Sequence, residues 1–251
     1  ESLKKKPAVI VGSAPRIAEL HRLGKLKLAG VKLLVLDEFD RLLGKQHLDE
    51  VRTVIRLLPP ERQALLLSAT AGTAAVRMAE SLFAPRLIRA EETKAVYQNY
   101  YHIVSFRDKI KAVQKLTRRL PIRRGLVFVG RSFDAAHALE KLRFEGIKAV
   151  ALLGQERRDH RRAALDAIRA GRAELLISTD LAARGLDIED VDYVIHLDLP
   201  EDVRTYRHRA GRTARAGKEG AVISLVDERE MDKLKALAAR MEIELSRLPR
   251  A

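Results

Sequence analysis

The sequence predicts an α/β fold organised on mostly parallel sheets. Three observations predict it. Short β-branched and leucine-rich runs alternate with amphipathic stretches along most of the 251 residues, the pattern of repeated strand-helix units. Several runs, such as Leu33-Leu34-Val35-Leu36 and Leu65-Leu66-Leu67, are apolar at consecutive positions, as strands covered on both faces require. A chain of this length with 47% hydrophobic residues can also bury one large core or two smaller ones.

In chain order, strands are predicted at 8–12, 32–37, 64–68, 87–90, 97–104, 125–130, 148–153, 174–178, 193–197 and 221–226. Helices are predicted at 15–22, 48–57, 73–82, 108–120, 132–145, 158–170, 203–210 and 228–241. Pro15 suits a first helical turn, and Ser132 and Asp227 suit N-caps. The stretch Glu91-Glu92-Thr93-Lys94-Ala95 is polar and aperiodic and reads as a linker. Domains are therefore expected over 1–90 and 97–251, with 91–96 between them.

Basic residues exceed acidic ones by 48 to 34, a formal charge of +14. Such a surplus suits a polyanion partner, although basic solubility gives the same number. Cysteine is absent, which excludes a disulfide scaffold and thiolate metal ligands. No apolar run approaches a membrane span and no signal peptide opens the chain, so a cytoplasmic setting without membrane contact is expected. The first residue is Glu1, not methionine, which suggests a fragment or a processed product.

Four clusters carry chemistry. Asp37-Glu38-Phe39-Asp40 follows an apolar strand, where ligands of open α/β sheets sit. Adjacent carboxylates there can hold hydrated magnesium and activate water, and a charged strand-to-helix turn has the same composition. Ser68-Ala69-Thr70 ends the next strand; its hydroxyls can relay hydrogen bonds or cap a helix. The run from Thr179-Asp180 to Gly185-Leu186-Asp187 follows another strand. Gly185 would admit a ligand to the backbone and Asp187 could accept a ribose hydroxyl, and an ordinary glycine loop fits as well. In His208-Arg209-Ala210-Gly211-Arg212-Thr213-Ala214-Arg215, three arginines recur at every third position and can project from one side of a helical turn. Close cations repel unless an anion meets them, and phosphate suits the guanidinium fork. A solvated basic face is the other reading.

Together and in this order, the four clusters resemble the later half of a DEAD-box RNA helicase of superfamily 2. Gly12-Ser13-Ala14-Pro15-Arg16 stands where that family has its Thr-Pro-Gly-Arg RNA motif, and Leu126–Arg131 is similar to its motif IV. The resemblance covers nearly the whole chain. It implies tandem RecA-like lobes, with ATP in the cleft and RNA across the top. On this resemblance Asp37 and Glu38 serve magnesium and the attacking water. Asp40 would contact the Ser68/Thr70 segment and His208, and Arg212 and Arg215 would meet the phosphates, with Arg215 as the arginine finger. Gly185 and Asp187 would lie at the nucleotide. Gly12, Arg16, Gly130, Arg131, Arg161 and Thr179 would contact RNA backbone. The basic residues Arg118, Arg119, Arg123 and Arg124 are read as solvated faces.

The chain also departs from the family pattern. Only 36 residues precede Asp37, and no phosphate-binding Gly-x-x-x-x-Gly-Lys-Ser/Thr loop occurs. An incomplete first lobe is therefore expected, with poor ATP binding by this chain alone, exposed apolar sheet surface and self-association through that lobe. Phe39 replaces the family alanine, Arg158 the glutamine of Gln-x-x-Arg, and Ala214 a glycine. The expected activity of the full-length protein is ATP-dependent local unwinding of structured or double-stranded RNA, with magnesium. A scaffold that lost the ATP loop, and a DNA helicase of the same superfamily, are the alternatives.

Overall fold

A computed structural model of the chain describes residues 3, 7–68, 71–88, 97–130, 132–153, 158–183, 188, 191–214 and 219–249. The chain divides into two compact units, Glu1–Glu91 and Glu92–Ala251. Among the described residues, no helix is long and apolar enough to cross a membrane.

The first unit holds α1 (Ala14–Arg22), β1 (Leu33–Asp37), α2 (Phe39–Leu42), α3 (Leu48–Leu57), β2 (Gln63–Leu67) and α4 (Thr73–Phe83). The two strands pair in parallel, from Leu33 opposite Gln63 to Asp37 opposite Leu67. Leu36, Phe39, Leu43, Val51 and Ala79 form a core on one face of this ribbon. The other face carries Leu33, Val35, Leu65 and Leu67, each at least 40% exposed. These strands are apolar on both faces, as the sequence indicates, but the described residues cover only one.

Among the described residues, two predicted strands are not formed. Residues 8–12 are irregular, with Val9 and Val11 exposed, because no neighbouring described strand offers them a ladder. Leu87 and Ile88 are likewise exposed and irregular, and 89–90 lie outside the described residues, as does the predicted linker at 91–96.

The second unit holds β3 (Tyr97–Ile103), α5 (Lys109–Arg119), β4 (Gly125–Phe128), α6 (Ser132–Phe144), β5 (Ala149–Leu152), α7 (Arg158–Arg169), β6 (Leu175–Ser178), β7 (Tyr193–His196), α8 (Val203–Ala210), β8 (Gly220–Val226), α9 (Met231–Met241) and β9 (Ser246–Arg247). All pairings are parallel, in the order β5-β6-β4-β7-β8-β3-β9. Alternate residues of each strand serve opposite faces. Leu126, Phe128, Leu176, Val194 and Val222 pack with residues of α7, α8 and α9. Val127, Leu175, Ile177, Ile195 and Ile223 pack with residues of α5 and α6. The sheet is thus sandwiched between helical layers, which is why its strands read as unbroken apolar runs.

Helix ends differ slightly from the prediction. The last helix starts at Met231 rather than at 228, because residues 227–230 form a turn closed by the side chains of Asp227 and Glu230. The Asp227 carboxylate accepts the amides of Arg229 and Glu230, both at 2.9 Å, and Glu230 accepts the amide of Asp227 at 3.0 Å. Helix α6 begins with Ser132 itself, and not after it.

Three arginines expected to be solvated have structural acceptors. Arg118 donates to the carbonyl of Glu145 just after α6, Arg124 to that of Arg169 at the end of α7, and Arg119 to that of Pro249. The amides of Arg123 and Arg124 share Asp192 Oδ2 at 2.8 and 2.9 Å. Cations at helix carboxyl ends are favoured by the helix dipole.

Candidate functional site

Parallel pairing puts the carboxyl ends of neighbouring strands side by side, and the candidate residues cluster there. In the first unit, Asp37 closes β1 opposite Leu67, so Ser68 is the next residue beyond β2 at the same edge. The Glu38 amide donates to Asp37 Oδ1 at 3.0 Å. Glu38 itself has φ 51° and ψ 46°, a left-handed conformation costly for a side chain with a β-carbon. This turn carries the chain straight into α2, which holds half-buried Asp40 and buries Phe39 in the core. Phe39 is therefore a packing residue, and the adjacent carboxylates remain at the surface. Gly12 is exposed ahead of α1, and Arg16 lies on α1 with its guanidinium 2.6 Å from Glu19. Thr70 lies outside the described residues.

In the second unit the site edge is formed by the ends of β4, β6 and β7. The order of connections reverses around β4, with β5 and β6 on one side and β7 and β8 on the other, and such a switch point is where open sheets bind ligands. Gly130 follows β4, Thr179 and Asp180 follow β6, and Asp198 follows β7. Thr179 is buried; its hydroxyl accepts the Ala182 amide at 3.3 Å and its carbonyl the Ala183 amide at 2.9 Å. Arg161 reaches from α7 to the Ala182 carbonyl at 2.9 Å. Both residues therefore shape the turn after β6. Arg131, Gly185, Asp187 and Arg215 lie outside the described residues.

The arginine cluster is not one helical face. Helix α8 ends at Ala210, His208 is half-buried on it, and Arg212 stands in the turn beyond. Arg209 is 3% exposed and spends its guanidinium inside the protein. Its Nε and Nη2 donate to the two Asp180 oxygens at 2.7 and 2.8 Å, and its Nη1 to the Asp198 carbonyl at 2.7 Å. The guanidinium also stacks 4.8 Å from the centre of the Phe128 ring. The counter-ion of Arg209 is thus Asp180. The carboxylate of Asp198 accepts the Gly130 amide at 2.7 Å.

Beneath this edge, Tyr206 donates to Asn99 Oδ1 at 2.8 Å and packs edge-on against His196, 5.0 Å between ring centres. His196 Nδ1 meets the Ser224 hydroxyl at 3.1 Å, while Nε2 is buried with no hydrogen-bond partner. Burial, and then the charge of Arg209, hold the His196 pKa well below its ordinary value, so the ring is neutral. Burial also opposes the Asp202 carboxylate, but the Thr205 amide and hydroxyl and the Arg204 charge outweigh it and keep its pKa low. Asp202 accepts the Thr205 amide at 2.7 Å and so caps α8. Sequence reasoning missed Asp198, Asn99, His196 and Tyr206, and read Arg209 only as part of a cationic cluster. The charged Asp198 in an otherwise apolar run was the one available signal.

The donor set at Asp37 and Glu38 is two adjacent carboxylates, which suits hydrated magnesium. Among the described residues no group of three or more His, Cys, Asp or Glu could hold a metal by itself, so a metal there would depend on water and phosphate as further ligands.

The chain is similar to known proteins along nearly its whole length. The DEAD/DEAH box helicase model matches residues 1–78, and the helicase conserved C-terminal domain model matches residues 108–217. The DEAD-box ATP-dependent RNA helicase CshC of Bacillus cereus is 41% identical over 246 residues, covering 97% of this chain and 63% of that protein. The structure of S. cerevisiae Dbp5 bound to RNA and ADP BeF3 superposes with a TM-score of 0.86 at 33% identity, over 96% of this chain and 65% of that one. E. coli SrmB bound to regulator of ribonuclease activity A gives 0.58 at 33% identity, over 62% of this chain and 91% of that one. The chain spans about two thirds of the length of CshC and Dbp5. With both models matched in order and the acidic, Ser-Ala-Thr and arginine motifs present in the sequence, the chain belongs to the DEAD-box helicase family, with its tandem RecA-like α/β architecture.

Proposed function

We propose that the whole protein is an ATP-dependent RNA helicase that separates RNA duplexes locally, in the cytoplasm. The observation that carries this reading is the placement of Asp37 and Glu38 beside Ser68 at the carboxyl ends of paired strands, in a chain of this family. The names of the relatives favour RNA over DNA and an enzyme over a scaffold.

Residues 1–90 form the carboxyl-terminal part of the first lobe in this reading, 91–96 the linker and 97–251 the second lobe. Asp37 and Glu38 hold magnesium, which supplies charge neutralisation at the phosphates when bound. Glu38 orients the attacking water and accepts its proton. Asp40, Ser68, Thr70 and His208 pass the nucleotide state to the RNA residues. Arg212 and Arg215 face the phosphates, and Gly185 and Asp187 the ribose. Gly12, Arg16, Gly130, Arg131, Arg161 and Thr179 form the RNA side, through backbone contacts with little base readout. The phosphate loop that would complete the nucleotide site is not in these 251 residues, so this chain alone is expected to be inactive. The exposed face of Leu33, Val35, Leu65 and Leu67 supports its self-association.

The test is RNA-stimulated phosphate release by the protein at the full length of its relatives. Glu38→Gln is expected to abolish turnover and leave RNA binding intact; undiminished turnover would reject the assignment.

A further inference from the structure

Three loops at the site edge of the second unit are tied by one relay of contacts. Asp180, after β6, holds Arg209 by a two-pronged ion pair. Arg209 holds the backbone carbonyl of Asp198, after β7, at 2.7 Å. The Asp198 side chain then holds the amide of Gly130, after β4, at 2.7 Å. The first link is rigid, since Arg209 is 3% exposed, lies over Phe128 and has Nε, Nη1 and Nη2 all donating to protein oxygens.

The last link differs in kind. Gly130 is exposed, so water could satisfy its amide, and the carboxylate is not needed to avoid an unsatisfied buried donor. What the bond supplies is a fixed direction for the turn. Nor does the protein itself require glycine at this position. Gly130 has no left-handed φ, and an added β-carbon would come no closer than 3.5 Å to Asp198 Oδ2, an ordinary contact. Bare backbone, held in place at a sheet switch point without an internal reason, fits the close approach of something from outside.

We propose that Asp198 is a positioning residue for RNA: its carboxylate sets the Gly130 turn against the RNA backbone, and Arg209 fixes Asp198 in turn. This rests on the reading of the Gly130 turn as an RNA contact. The arrangement ties that turn to α8, the helix that leads into the phosphate-facing arginine segment, so a shift of α8 reaches the RNA side through two polar contacts.

The test uses the 251-residue chain, a short fluorescein-labelled single-stranded uridine RNA, and amide exchange at Gly130 by NMR. Asp198→Asn keeps an acceptor oxygen; Asp198→Ala removes it. Loss of one oriented hydrogen bond is expected to weaken RNA binding about tenfold in Asp198→Ala and to speed Gly130 exchange by a similar factor. Asp198→Asn should stay within about threefold of the wild type on both measures, with both melting temperatures unchanged. Gly130→Ala, which the fold can accommodate, should weaken RNA binding by at least as much as Asp198→Ala. Wild-type affinity in Asp198→Ala, or equal losses in both Asp198 variants tracking a lower melting temperature, would overturn the proposal. A wild-type chain that binds no RNA would overturn the RNA reading of the turn, and the proposal with it.

Discussion

Gly220 faces Thr213 so closely that a β-carbon on Gly220 would lie 2.1 Å from the Thr213 hydroxyl and 2.7 Å from the amide nitrogen of Ala214. Thr213 cannot retreat cheaply, because its hydroxyl donates to the carbonyl of Val191 and the two residues form a parallel bridge. Gly220→Ala should therefore lower stability by about 1–3 kcal/mol and displace the segment that carries Arg212. Gly146→Ala is the control: it has φ 80° but nothing within 4 Å of the new β-carbon, so only a conformational cost of about 1 kcal/mol is expected. Urea melts of the two variants, and RNA-stimulated phosphate release with each change in the protein at the full length of its relatives, check the contrast.

Ala214 stands at φ 54° where the resemblance expects glycine. An alanine there carries a conformational cost that glycine avoids. Ala214→Gly should raise stability by about 1 kcal/mol, or roughly 2–4 °C in melting temperature for a chain of this size. An unchanged or lowered Tm would contradict it.

Most elements were legible because each strand in a covered parallel sheet must be apolar throughout, and each covering helix must carry an apolar stripe at a period of about 3.6 residues. The residues of β4, β6 and β7 meet that condition, and their ends came out within a residue or two. Residues 8–12 and 87–88 have strand composition but no ladder in the described structure, and composition says nothing of pairing partners. The two-residue β9 was missed because Ser246 and Arg247 carry no strand signal; β3 imposes their conformation through Tyr100 and Tyr101. The site motifs were visible as text. The inward turn of Arg209 was not, since the spacing of three arginines does not reveal where α8 ends.

Arg209 is a buried cation with planar, directional bonds to two loops. Lysine offers one point charge and cannot reproduce the fork. Arg209→Lys and Arg209→Ala should both cost about 3 kcal/mol, since each leaves Asp180 or the Asp198 carbonyl without its partner. A lysine variant as stable as the wild type in chemical denaturation would show that charge alone suffices.

His196 makes stability depend on pH in one direction. In the unfolded chain it takes up a proton below about pH 6.5, whereas the folded ring has its pKa well below that value. Its contribution is therefore complete above pH 6.5 and is lost as the pH falls, with a slope approaching about 1.4 kcal/mol per pH unit. His196→Asn removes the titration. Denaturant midpoints measured between about pH 7 and pH 5 should fall more steeply in the wild type than in the variant. Parallel profiles would reject the role of His196.

Glu38 holds a strained left-handed conformation at the end of β1. Glu38→Gly should stabilise the first unit by about 1 kcal/mol while abolishing hydrolysis in the whole protein. A gain in activity, or a loss of stability, would contradict this trade.

Among the described residues β3 pairs only with β8 and β9, which also sets a schedule for biosynthesis. Tyr97 leaves the ribosome about 120 residues before Gly220, its first partner, which at ~5–20 residues per second is roughly 6–24 s. Throughout that interval the opening strand of the second unit has a bare edge on both sides. A nascent chain halted between them should leave both edges of β3 open to a holding chaperone, and codon speed between positions 104 and 220 should set how long that exposure lasts.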